Sequence, residues 1–137
     1  MTIILCDGSS HGNPGPASVG IIIWERTNNP RMIRPTKIIN ESIGVATNMA
    51  AEWFALVRAV RYLAVRNLFD EEIYIYSDSQ TIVNQAQGEW KVRHENILTY
   101  FDEYVSLIGK FKHFHLSWIP RQLMYLADKA AQKGDKK

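Results

Sequence analysis

Residues 1–24 read MTIILCDGSSHGNPGPASVGIIIW. Two apolar runs, Ile3-Ile4-Leu5-Cys6 and Val19 to Trp24, flank a stretch rich in Gly, Ser and Pro. The first run stops abruptly on Asp7. A carboxylate at the end of a buried strand loses solvation unless a partner replaces the water. A capped turn, a cation or a metal ion would each serve. The two runs themselves predict strands over 2–6 and 17–26, because β-branched and aromatic residues dominate them. The residues between are turn formers, with Gly8, Gly12, Pro14, Gly15 and Pro16.

Working outward, Thr27-Asn28-Asn29-Pro30 predicts a further turn and Met32 to Val45 a third strand. Short connections make these three strands an antiparallel meander. The apolar period then changes. Met49, Trp53, Leu56, Val57, Val60, Leu63 and Ala64 recur at helical spacing, with Thr47 or Asn48 as cap. Arg58, Arg61 and Arg66 fall off that stripe and are expected to be solvated. Ile73 to Ser77 predicts a short strand, and 79–87 a helix capped by Asp78 or Ser79. Residues 96–108 predict a helix with Ile97, Phe101, Tyr104, Val105 and Ile108 on one face. A strand is expected over 111–119, ended by Pro120, and a helix over 123–133. Alternation places His113 and His115 on one strand face with Phe111, and Phe114 with Leu116 on the other. The β-β-β-α-β-α-α-β-α order predicts an α/β fold. Its five-stranded mixed sheet has three antiparallel strands, then two parallel ones, flanked by helices.

With 137 residues, one domain over 1–133 is expected, and a mobile tail over 134–137. An apolar content of 46% and a charged content of 22% are those of a soluble globular chain. The net charge of +2 excludes a polycation. The single cysteine, Cys6, excludes an intrachain disulfide and reads as a core residue. Neither a signal peptide nor a membrane-length apolar run is evident, so a cytoplasmic monomer with no membrane association is expected.

Asp7, Glu52, Asp78 and Asp128 stand out. If the first and fourth strands are parallel neighbours, Asp7 and Asp78 emerge at one sheet edge, where open α/β sheets carry their ligand sites. Glu52 lies early in the first helix and Asp128 in the last. Converging carboxylates repel unless cations neutralise them. Hard divalent cations, Mg²⁺ above all, take all-oxygen ligand sets. Taken singly, each acid has a plainer account. Asp78 can cap a helix, Asp7 can accept bonds from the 8–10 turn, and Glu52 and Asp128 can be exposed helix residues. The joint placement favours a metal.

The chain resembles type 1 ribonuclease H. The resemblance rests on DGSSHGNPG (7–15), TNMAAEWFAL (47–56), YSDSQ (76–80) and WIPRQLMYLADKAA (118–131), in that family's order. It implies a metal-dependent endoribonuclease that hydrolyses the RNA strand of RNA–DNA hybrids, leaving 5′-phosphate and 3′-hydroxyl ends. Asp7, Glu52, Asp78 and Asp128 match the family's catalytic acids, which hold two Mg²⁺ (or Mn²⁺). One ion activates a water, and the other stabilises the leaving oxygen. Gly8, Ser9, Asn13, Thr47, Asn48 and Gln80 match substrate-binding positions, Thr47 as a DNA-phosphate contact. Shape and the 2′-hydroxyl, rather than base sequence, would be read.

The chain also departs from the pattern. Met49 stands where many members carry a second Asn. GEWKVRH (88–94) replaces a longer basic insertion, which leaves Trp90, Lys91 and Arg93 as the residual handle, with Trp90 as a core aromatic the alternative. Near the last acid there is no His. Gln122 and Met124 replace the Glu and Asn of a P-R-E-x-N variant, and Arg121 is the remaining charged residue there. Two other functions fit the same residues: a silent hybrid-binding module, and another nuclease on this fold.

Overall fold

The structure, a computed structural model, describes residues 1–27, 34–92 and 95–125. The expected turn at 28–30, the start of the third strand, Arg93, the last helix beyond 125 with Asp128, and the tail lie outside the described residues.

Strand β1 (Thr2–Ser10) pairs antiparallel with β2 (Gly15–Trp24), from Ile3 opposite Trp24 to Ser10 opposite Ala17. β2 pairs antiparallel with β3 (Lys37–Ala46). Helix α1 (Asn48–Val65) leads to β4 (Glu72–Ser77), which runs parallel to β1 from Thr2 opposite Ile73 to Cys6 opposite Ser77. Helices α2 (Gln80–Ala86) and α3 (Glu95–Ile108) precede β5 (His113–Trp118), parallel to β4. The five strands are ordered β3-β2-β1-β4-β5, and the sheet is the expected mixed one, three antiparallel strands and then two parallel.

The expected end of β1 at Cys6 is corrected. The strand continues to Ser10 because β2 still supplies hydrogen-bond partners. Only the parallel ladder to β4 ends at Cys6. Asp7 therefore sits inside a strand, at the first position where one neighbour has gone. The long turn shrinks to residues 11–14.

Alternation along β1 divides the core. Ile4 and Cys6 face α1, packed with Ile21, Ile23, Ile73, Ile75, Trp53, Leu56, Val60 and Leu63. Ile3 and Leu5 face the other side with Ile22, Trp24 and Met124. By the same alternation Asp7 belongs to that second side, and Gly8 to the side of α1. Trp53 is fully buried, donates from Nε1 to Gln85 Oε1 at 2.8 Å, and meets Phe101 and Tyr104 edge-on. One side chain thus joins α1, α2 and α3.

Two smaller expectations fail. Val105 is 47% exposed while Tyr104 is buried. It lies about 100° round the helix from Tyr104, off the stripe made by 97, 101, 104 and 108. Phe111 precedes β5 and packs on Phe69 and Phe114, so strand alternation does not apply to it. His113 and His115 are exposed, and His115 stacks on Tyr74 with centroids 4.7 Å apart. Among the described residues, no helix is long and apolar enough to cross a membrane.

Candidate active site

Gly8 determines how closely α1 approaches β1. A Cβ there would lie 2.1 Å from the Ala51 carbonyl oxygen and 2.8 Å from the Glu52 nitrogen. Only glycine permits that approach, and it carries Glu52 up to Asp7. β4 ends at Ser77, so Asp78 arrives at the same place from the other side of β1. Asp7 and Glu52 are half-buried, Asp78 has a buried side chain, and each of the three offers a carboxylate oxygen within 4.8 Å of the others.

Asp78 is not a cap. Ser79 caps α2, its Oγ accepting from Ile82 N at 3.3 Å. The Asp78 side chain is 3% exposed, and its Oδ1 is buried with no hydrogen-bond partner. Its Oδ2 lies 3.3 Å from Nε of Arg121, an exposed side chain. Burial pushes the Glu52 carboxyl above its ordinary range; a hydrogen bond from Ser79 opposes this, the charge of Asp78 adds to it, and Arg121 opposes it. The neighbouring Cys6 thiol is pushed strongly upward by burial and then by the same three carboxylates, which keeps it protonated and inert.

This donor set fits a hard divalent cation. It consists of carboxylate oxygens, and one buried oxygen is unsatisfied. Asp128 lies outside the described residues.

A second group forms beside the hairpin tip. Asn13 Oδ1 accepts from Asn48 N at 3.0 Å, and Asn48 Oδ1 accepts from Ser10 N at 3.3 Å. Thr47, and not Asn48, is the N-cap of α1, its Oγ1 accepting from Ala50 N at 3.1 Å. Asn13, Thr47 and Met49 line a concavity of about 240 Å³ with Asn96 and Ile97. Reading the sequence missed Asn96, which looked only like the start of a helix. The acids are not among this concavity's lining residues.

The remaining expected contacts are spread out. Ser9 and Gln80 are exposed, and Gly8 is buried. Trp90 is 49% exposed, so it is not a core aromatic, and Lys91 is exposed. Met124 is buried in the second core cluster, which gives the replacement of a polar residue there a packing reason.

A family model described as reverse transcriptase-like matches residues 5–134. The fold superposes on LC11-RNase H1 in complex with RNA/DNA hybrid with a TM-score of 0.81 and 30% identity, covering 97% of this chain and 95% of that one. The chain belongs to the type 1 ribonuclease H family. It is 34% identical over 128 residues to Ribonuclease HI of Halobacterium salinarum, covering 93% of this chain and 61% of that protein. It is 33% identical over 129 residues to Bifunctional protein Rv2228c of Mycobacterium tuberculosis, covering 94% of this chain and 34% of that protein. The chain thus spans about a third of the length of one of these relatives and three-fifths of the other. In this member of the ribonuclease H family, only residues 87–94 connect α2 to α3.

Proposed function

We propose that the chain is a metal-dependent endoribonuclease that hydrolyses the RNA strand of RNA–DNA hybrids. The observation that carries this reading is the three-carboxylate cluster with the buried, unpartnered Asp78 oxygen. Asp7, Glu52, Asp78 and Asp128 would hold two Mg²⁺ or Mn²⁺. When bound, these supply an ionised water near neutral pH and stabilise charge on the leaving 3′ oxygen. Hydrolysis would form a bond from the water oxygen to phosphorus and break P–O3′, the 3′ oxygen taking up a proton, which leaves a 5′ phosphate and a 3′ hydroxyl.

The chain's own residues bind and orient the hybrid. With both amide oxygens engaged, Asn13 and Asn48 present their Nδ2 donors to minor-groove acceptors. Gly8 and Ser9 leave room for backbone contact with the 2′-hydroxyl, and Gln80 extends the same edge. Thr47 meets a DNA phosphate, and Trp90, Lys91 and Arg121 add contact and positive charge. We assign residues 1–133 to a single cytoplasmic, monomeric unit.

The test is incubation with labelled RNA–DNA hybrid, single-stranded RNA, double-stranded RNA and double-stranded DNA, in Mg²⁺ or EDTA. Cleavage of the hybrid's RNA strand in Mg²⁺ alone is expected. Its absence would refute the proposal, and equal cleavage of every substrate would refute the hybrid selectivity.

A further inference from the structure

One short run of chain, the exit from β5, holds Asp78 at several points. Ile119 N donates to the Ser77 carbonyl at 2.9 Å. Trp118 Nε1 donates to the Asp78 carbonyl at 3.2 Å. Arg121 Nε lies 3.3 Å from Asp78 Oδ2. The first of these continues the sheet. The second does not, because the ladder pairs Trp118 with Ser77 and the indole reaches one peptide further on.

Trp118 is 47% exposed, so its ring does little for the core. An indole half in water can give its N–H to solvent. Here it bonds the one peptide that has left β4 and not yet joined α2. Among the described residues, no backbone N–H bonds that carbonyl in the turns and loops. The N–H of the same peptide, Ser79 N, donates to Ser77 Oγ at 3.1 Å, so the peptide is held on its other edge as well. The indole fixes the carbonyl edge, and with it the backbone angle at Asp78. The indole thus restrains a carboxylate whose Oδ1 is buried and unpartnered.

We propose that Trp118 is a positioning residue for the metal site, keeping the Asp78 carboxylate beside Asp7 and Glu52 through the peptide that carries it. This rests on the reading of Asp78 as a metal ligand. A Mg²⁺ site tolerates little misplacement of its oxygens, and Mn²⁺ takes the same octahedral oxygen set. Hydrogen bonds that orient ligands commonly change metal affinity by about tenfold to a hundredfold.

Calorimetric titration of Mn²⁺ into the full chain tests it, with the parent, Asp78→Asn, Trp118→Phe and Trp118→His compared at about pH 8, where a free imidazole is neutral. Phe keeps a ring and loses the donor. His restores one, because its Nε2 lies two bonds from Cγ, as the indole nitrogen does. Trp118→Phe should bind Mn²⁺ about tenfold more weakly with its metal-free melting temperature unchanged, and Trp118→His should recover most of the affinity. The inference is overturned if Trp118→Phe stays within about twofold of the parent, if His rescues no better than Phe, or if the metal-free protein melts lower by an amount that explains the loss. If Asp78→Asn binds Mn²⁺ as the parent does, the reading of Asp78 as a ligand fails, and the inference goes with it.

Discussion

Acidic side chains near the two halves of α1 are neutralised in opposite ways. Along the later turns each has its own arginine: Glu41 with Arg58, Glu103 with Arg61, and Glu25 with Arg66. At the start of the helix, Asp7, Glu52 and Asp78 crowd together, with Arg121 Nε 3.3 Å from Asp78 Oδ2. The carboxyls of Glu25 and Glu103 are held below their ordinary range, chiefly by hydrogen bonds from their arginines. That of Glu52 is pushed up by burial. Where acids serve packing, the charge is balanced within the chain. Where they crowd together, their mutual repulsion favours an added cation.

The largest effect that can break this comparison is on turnover. Asp7→Asn should reduce Mg²⁺-dependent hybrid cleavage by at least about 10³-fold, equivalent to about 4 kcal/mol of barrier. In EDTA the same variant should melt higher than the parent, because it removes repulsion within the cluster. If Asp7→Asn unfolds the protein, the carboxylate is a structural element and the comparison collapses. Gly8→Ala should come next, destabilising by about 3 kcal/mol in urea titration, because its Cβ would sit on the Ala51 carbonyl. A neutral result there would mean that α1 can move back from β1 freely.

The balanced half should respond weakly. Arg61 donates to Glu103 through two nitrogens, one at 2.7 Å, but both side chains are partly in water. A double-mutant cycle of Arg61→Ala and Glu103→Ala should give a coupling of about 0.5 kcal/mol. The smallest effect concerns pH. Hydrogen bonding from Arg66 lowers the Glu25 carboxyl from its ordinary 4.5. A carboxyl with a lower pKa when folded stabilises above the unfolded value, and that contribution is lost as pH falls through the folded one. Glu25→Gln should therefore flatten the fall in Tm between about pH 5 and pH 3. A parent and a variant with parallel Tm curves would show the pair to be inconsequential.

Much of this was legible beforehand because it is written in local periods. The three- and four-residue recurrence from Met49 to Ala64 marks α1, and the β-branched run Ile21-Ile22-Ile23 marks β2. The acids could be listed from their positions at element ends. Their neighbours could not. Arg58, Arg61 and Arg66 looked solvated because their partners lie on other elements. The alternative caps, Thr47 or Asn48 and Asp78 or Ser79, have near-equal intrinsic preference, so packing had to choose. It chose Thr47 and Ser79, and that left Asp78 Oδ1 unpartnered.

The sequence by itself determined the element order, the sheet class, the single buried thiol and the acids worth pairing. These follow from composition and short-range periodicity, which need no knowledge of distant chain. Only the tertiary structure decided that Asp7 lies within a strand that has lost one neighbour, that Asn13 and Asn48 lock together, and that Trp118 reaches the Asp78 peptide. The last two contacts join residues 35 and 40 positions apart. Such contacts depend on where β1 and β4 stop relative to each other, and strand register is a property of the assembled sheet rather than of either segment.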